Sequence, residues 1–215
     1  MVMDHVNAVK VMRLASAAES TRKFAAYPSL FRQIAQPETD YLAIPEVSSE
    51  NRSFIPIAFF TKDVICGNPV QFVPGATLWH FGILTSTMHM AWMRQVCGRL
   101  KSDYRCSNTL VYNNYPWPEA ATDTQRAKVE EAAQAVLGAR KQFPDATLAD
   151  LYDSISMPPN LAKAHAQLDR AVELCYRKEP FATDRQRVEF LFALYEKLTA
   201  PLAISPDKLR KVRRK

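Results

Sequence analysis

The chain has 215 residues, 47% of them hydrophobic, with 28 Lys/Arg against 22 Asp/Glu and a pI near 9.2. This is enough apolar material for one good core or two small ones, and the weak basic excess suits a polyanion partner. The sequence carries no signal peptide, long apolar run or paired cysteine spacing, which argues against export, membrane insertion and a zinc site, and for a reducing cytoplasm.

The charge is spread evenly. Residues 1–118 hold eleven basic and eight acidic side chains, residues 119–215 seventeen and fourteen, and only the tail Lys208 to Lys215 is densely basic. Along the chain, Val6, Val9, Val11, Met12, Leu14 and Ala17 have helical spacing, predicting an N-terminal helix over 4–24 and a short one near Ser29 to Ile34. Tyr41–Pro45, Phe54–Phe60, Val64–Ile65 and Val70–Val73 are short, β-prone and separated by turns, predicting a small, largely antiparallel sheet. Pro45 and Pro56 favour edges or bulges. Leu78 to Arg99 reads as one helix closed by Gly98, its Met88, Met90, Trp92 and Met93 packing the core. An extended segment is expected from Ser102 to Tyr112.

Pro116-Trp117-Pro118 breaks the chain. Beyond it, helices are expected over Thr122–Phe143, Thr147–Tyr152, Pro159–Arg177 and Thr183–Thr199, the last with an apolar face of Val188, Leu191, Phe192, Leu194, Tyr195 and Leu198. The fold class is therefore α+β: a small mixed or antiparallel sheet domain with helices, followed by an α-helical bundle domain. The boundaries fall at 1–118, 119–200 and a basic tail, 201–215.

The segment Gly98 to Asn108 combines Arg, Lys, Asp and Asn with strand-like alternation. On an extended strand Lys101 and Asp103 point to one side. Lysine can donate to guanine O6 or N7 and aspartate can accept from cytosine N4, so the two could read one G·C pair. On spacing alone an ordinary surface ion pair is the favoured reading.

Five blocks in order carry a resemblance: Ser20-Thr21-Arg22-Lys23, Tyr27 to Phe31, Tyr41 to Glu50, Ala76 to Trp92, and Gly98 to Asn108 running on to Pro118. From about Arg13 onward the chain resembles the C-terminal part of the MmeI-like restriction-modification DNA methyltransferases, which methylate adenine and often cut DNA in the same polypeptide. The resemblance implies a target recognition domain followed by a helical C-terminal domain. It also implies base-reading roles for Glu46, for Asn68 with Pro69, and for Lys101 with Asp103. Glu46 can accept from cytosine N4 and Asn68 can pair with adenine N6/N7. Arg52, Arg99, Arg105, Ser107 and Asn108 are candidates for phosphate contacts, as are Arg22 and Lys23, each equally suited to an ordinary surface or ion-pair role. Trp79, Trp92 and Trp117 read as core or interface anchors.

An amino-methyltransferase needs a Gly-rich cofactor turn and an Asp/Asn-Pro-Pro-aromatic motif. The chain has neither: its Pro-Pro is Met157-Pro158-Pro159-Asn160, and Gly67, Gly75, Gly82, Gly98 and Gly138 are scattered. The expectation is a recognition module without catalytic residues, metal or cofactor, S-adenosylmethionine belonging to a methyltransferase core outside this chain. Its partners would be double-stranded DNA and that core, in cis or in trans, with no membrane. Met1 would then start a truncated or separately encoded piece. The apolar face of the first helix, deprived of its natural partner, could support a homodimer. The alternative is a protein-interaction module that docks onto a methyltransferase or restriction subunit without autonomous DNA binding.

Overall fold

The computed structural model describes residues 1–31 and 35–200, in two compact units, Met1–Pro37 and a second from Glu38 onward. The basic tail lies outside the described residues.

In the first unit the expected long helix is two: α1 (Val2–Leu14) and α2 (Glu19–Lys23), followed by a 3₁₀ turn at Phe24–Ala26. The break is held by arginines. Arg22 donates to the carbonyls of Ser16 and Ala17, both at 2.8 Å, closing the link between the helices. Arg13 reaches the carbonyls of Tyr27 (2.6 Å) and Leu30 (2.7 Å) and lies over the Phe24 ring. Of the expected short helix at Ser29 to Ile34, Ser29 lies in a turn and Leu30 in a bend, while residues 32–34 lie outside the described residues.

In the second unit β1 (Tyr41–Pro45) is the centre of a sheet with β3 (Ala58–Phe60) and β4 (Val70–Pro74), both antiparallel to it. Tyr41 faces Phe60 and Pro74, and Ala43 faces Ala58 and Phe72. The β3 ladder ends at Ala43, so Pro45 lies where only β4 remains beside it; its missing N–H costs the β3 side nothing. The expected strand from Phe54 shortens because Pro56 sits in a tight turn, where the Ile57 amide donates to the Ile55 carbonyl (2.9 Å). Val64 and Ile65 are exposed and follow a turn at Lys62 and Asp63 without forming a strand.

The expected helix over 78–99 is also two, α3 (Leu78–Leu84) and α4 (Thr87–Val96). Hydroxyls make the break. Thr85 donates to the Phe81 carbonyl (2.6 Å) and Ser86 to that of Ile83 (2.7 Å), while Ser86 Oγ accepts the His89 amide and starts α4. Gly98 is not a left-handed cap: Cys97 is already extended, and Gly98 opens a strand, β5 (Gly98–Leu100).

A second antiparallel sheet has the order β2 (Val47–Ser48), β6 (Asp103–Arg105), β5 (Gly98–Leu100). The extended segment ends at Ser107, because Asn108–Tyr112 forms a π-helical turn.

Four helices complete the unit: α5 (Asp123–Arg140), α6 (Leu148–Leu151), α7 (Pro159–Tyr176) and α8 (Asp184–Thr199). Thr122, Thr147 and Thr183 each accept an amide from the third residue inward, and Pro159 opens α7 at the position where its missing N–H is harmless. The architecture has the expected α+β class, and α3 and α4, packed with sheet residues in one core, also reach the later helices. α3 packs against α5 and α7, and α4 against α8, so one core runs from Leu42 to Leu191. Met88, Met90, Trp92 and Met93 lie in it as expected. Of the predicted α8 face only Leu191 is fully buried; Phe192 and Tyr195 cover the Trp92 ring, at 5.1 and 5.6 Å, and Leu198 is exposed. No described helix is long and apolar enough to cross a membrane.

Candidate nucleic-acid interface

Three segments far apart in sequence meet at Glu46, the residue between β1 and β2. Its amide donates to the Pro69 carbonyl (2.9 Å), continuing the first sheet, while its carbonyl accepts the Cys106 amide (2.7 Å), continuing the second. The backbone of one residue thus divides its two hydrogen bonds between two sheets. This leaves the Cys106 carbonyl without the partner a regular ladder would supply, and Gln71 Nε2 takes the place at 2.9 Å. The sequence marks Gln71 only as a polar residue within the apolar run Val70-Gln71-Phe72-Val73.

The expected base readers Glu46, Asn68 and Pro69 are therefore neighbours. Asn68 and Pro69 form an exposed turn just before β4, and the Asn68 amide group makes no hydrogen bond among the described residues. The Glu46 carboxylate is paired with Arg105, whose Nε and Nη2 both donate to Oε1 at 3.1 Å. Arg105, expected on phosphates, is thus joined to an expected base reader. The two side chains are 57% and 31% exposed. Such a pair contributes about 0–1 kcal/mol, less than the ~1–3 kcal/mol of a good base contact, so an incoming base edge can displace it.

Lys101 and Asp103 are placed differently from the expectation. Lys101 and Ser102 make the two-residue turn of the β5–β6 hairpin, with Leu100 facing Asp103 across it. The pair does not share a strand face. On β6 it is Asp103 and Arg105 that alternate outward, while Tyr104 turns into the core. Lys101 has φ of 57°, the one non-glycine residue among those described with positive φ. Left-handed backbone costs a lysine about 1–2 kcal/mol, and such strain concentrates at functional tips. Its side chain is exposed and makes no ion pair among the described residues, whereas Asp103 accepts the Glu50 amide at 3.4 Å.

The remaining candidates are largely engaged. Arg99 lies over the Tyr104 ring at 4.3 Å, donates to the Ser102 carbonyl and stands 3.7 Å from Glu50. Arg52 is half-buried, and its charge helps hold the Asp153 carboxyl below the usual range, after the larger effect of the Ile155 and Ser156 amides. Ser107 bonds Thr109 Oγ1 (2.8 Å) and Asn108 accepts the Thr109 amide (2.8 Å), shaping the π-helical turn. Arg22 is spent on carbonyls, and Lys23 pairs with Glu19. Trp79 and Trp92 are buried; Trp117 packs edge-on against His80, Tyr112 and Tyr115.

A cavity of about 10 Å³ lies beneath this corner, lined by Gln71, His89, Cys106 and Ser107 among others. Burial pushes the His89 imidazole down to about 4, against the Leu84 carbonyl. Deeper in the core, Arg140 donates to the Ile57 carbonyl (2.7 Å) and twice to Tyr152 Oη. Tyr152 therefore spends its proton on His165 Nε2 (2.7 Å), fixing a neutral imidazole with its hydrogen on Nδ1. This joins the loop after β2 to α5, α6 and α7. Among the described residues no three His, Cys, Asp or Glu side chains could hold a metal ion.

Glu46 thus gathers loosely paired charges at an exposed corner built on two buttressed sheets. Residues 1–119 match the family model for the MmeI target recognition domain and residues 121–203 that for the MmeI C-terminal domain. The chain belongs to the MmeI family, as its recognition and C-terminal domains. It is 38% identical over 199 residues to DNA methyltransferase A of Bacillus subtilis (strain 168), covering 93% of this chain and 22% of that protein. It also matches a solved structure of the type IIL restriction-modification enzyme MmeI in complex with DNA. There the TM-score is 0.87 and the identity 47%, over 93% of this chain and 26% of that one. The chain thus spans about a quarter of the length of the relatives it matches.

Proposed function

We propose that this chain is the sequence-reading part of a restriction-modification DNA adenine-N6 methyltransferase. Duplex DNA lies against the corner at Glu46, with Glu46, Asn68, Pro69, Lys101 and Asp103 facing base edges in the major groove. Arg52, Arg99, Arg105, Ser107 and Asn108 serve the backbone, Arg105 alternating between Glu46 and phosphate. The observation that carries this reading is the convergence of three distant segments on one residue's backbone, which holds their side chains in fixed register. Residues 1–118 would form the recognition domain, 119–200 its helical support and 201–215 a basic tail.

The catalytic steps and S-adenosylmethionine belong to a methyltransferase core beyond this chain, which flips the target adenine. Val2, Met3, Val11, Met12 and Leu14 of α1 are exposed, a surface suited to that core. In its absence two copies can pair through the same side chains, which light scattering reads directly.

The test is duplex binding by fluorescence anisotropy between about 50 and 200 mM salt, by the chain alone and mixed with a methyltransferase core of the family. Salt-sensitive binding that Lys101→Ala/Asp103→Ala weakens at least tenfold, with unchanged circular dichroism, supports the reading. Indifference to those changes transfers it to a docking module without its own DNA contact.

A further inference from the structure

The β5–β6 hairpin has a feature unrelated to base reading at its open end. Its register runs Leu100 to Asp103, Arg99 to Tyr104 and Gly98 to Arg105. One step further places Cys97 opposite Cys106. Around a two-residue turn, hydrogen-bonded and non-hydrogen-bonded pairs alternate from the first flanking pair, so this fourth pair is of the non-hydrogen-bonded kind. The amide directions agree: the Cys97 N–H points away to the Met93 carbonyl (2.9 Å) and the Cys106 N–H to that of Glu46 (2.7 Å). In such pairs the Cα atoms stand about 4.5 Å apart with both side chains on one face, inside the range of roughly 4.4–6.8 Å that a disulfide spans. Arg99 and Tyr104, the pair two positions nearer the turn, touch on that same face.

We propose that Cys97 and Cys106 form a cross-strand dithiol that closes to a disulfide under a small-molecule disulfide, stapling the base of the hairpin. Cys97 is half-buried and Cys106 buried, so Cys97 is the thiol that meets the oxidant. Its thiolate attacks the small disulfide, giving a mixed disulfide and releasing one thiol. Cys106, losing its proton to solvent, then attacks the Cys97 sulfur and expels the second. The balance is two protein thiols oxidised to one disulfide and one small disulfide reduced to two thiols. Burial raises both thiols, Cys106 to about 12 with the neighbouring Cys97 adding to it, so the reaction is slow at neutral pH and quickens as pH rises. The other two thiols are placed elsewhere: Cys66 contacts Tyr41 Oη at 3.0 Å, and Cys175 bonds back to the Ala171 carbonyl on α7.

The full chain is incubated with oxidised glutathione at about pH 8.5, then denatured, alkylated and digested with trypsin. The expected result is two of the four thiols protected and one linked pair, residues 95–99 with residues 106–126, which dithiothreitol dissolves. Cys97→Ser and Cys106→Ala each abolish that link, and amide exchange across 98–105 slows in the linked protein. Four alkylated thiols after prolonged exposure, a mixed disulfide stalled on Cys97, or linkage through Cys66, Cys175 or a second molecule would overturn the proposal. The staple forms whether or not the hairpin reads DNA, so its failure leaves the functional reading untouched.

Discussion

Gly82 lies where α3 packs tightly against α5 and α7, and it sets a quantitative test of how those helices are joined. A Cβ built there would lie 2.7 Å from Val129 Cγ1 on α5, 3.3 Å from Leu168 Cδ1 on α7 and 3.4 Å from Ala133 Cβ. Val129 and Leu168 are fully buried, so neither can swing into solvent. Overpacking of this kind costs about 1–3 kcal/mol, while alanine regains up to about 1 kcal/mol of helix propensity over glycine. The net expectation for Gly82→Ala is a loss of about 0–3 kcal/mol. Val129→Ala alone removes two carbons and costs about 1.6 kcal/mol plus a cavity contribution. In the double variant the new methyl occupies the space Val129 vacated, so alanine at 82 becomes neutral or stabilising. The coupling energy is therefore about 1–3 kcal/mol in favour of the double variant. Urea unfolding of all four proteins measures it. Additivity within about 0.5 kcal/mol would show that the helices do not meet at Gly82 and would refute the packing argument.

Acid should weaken the fold through its buried histidines. Burial, and for His165 the Arg140 charge as well, pushes His89 down to about 4 and His165 to about 3. Between those values and about 6.5 the unfolded chain binds more protons, so stability present above pH 6.5 drains as pH falls, by about 2 kcal/mol per histidine at pH 5. His165→Gln should flatten that slope in urea titrations at pH 7 and 5. Asp169 works oppositely. Burial raises its carboxyl to about 6 against the Thr87 hydrogen bonds, so its contribution is present below about pH 4 and lost as pH rises through 6. Asp169→Asn keeps an acceptor for the Thr87 amide, held at 2.7 Å, and should raise the thermal midpoint at pH 7.5 but not at pH 4. Lys101→Gly should stabilise the hairpin by relieving the φ of 57°, read as a higher unfolding midpoint, while weakening duplex binding.

Elements with local signals were legible. β1 and β4 are apolar runs bounded by turn residues, and α5, α6 and α8 begin at threonines that cap them. The division of Leu78–Val96 was hidden, because apolar spacing continues through Thr85 and Ser86 while their hydroxyls turn the chain. The hairpin tip was hidden too, since lysine is a poor residue for positive φ and Gly98-Arg99-Leu100 invites a longer strand. Glu46 and Arg105 lie 59 positions apart, and their pairing exists only once both sheets have formed. Residue types suited to base edges were readable from the sequence; the register that gathers them at Glu46 was not.

Whether this corner reads a DNA sequence is decided by selection from a randomised duplex pool at low salt, with and without a family methyltransferase core. The expected outcome is enrichment of one short motif, with Lys101→Ala/Asp103→Ala relaxing one base pair of it while preserving the rest. No enrichment in either setting, or a motif unaltered by that double change, would contradict it.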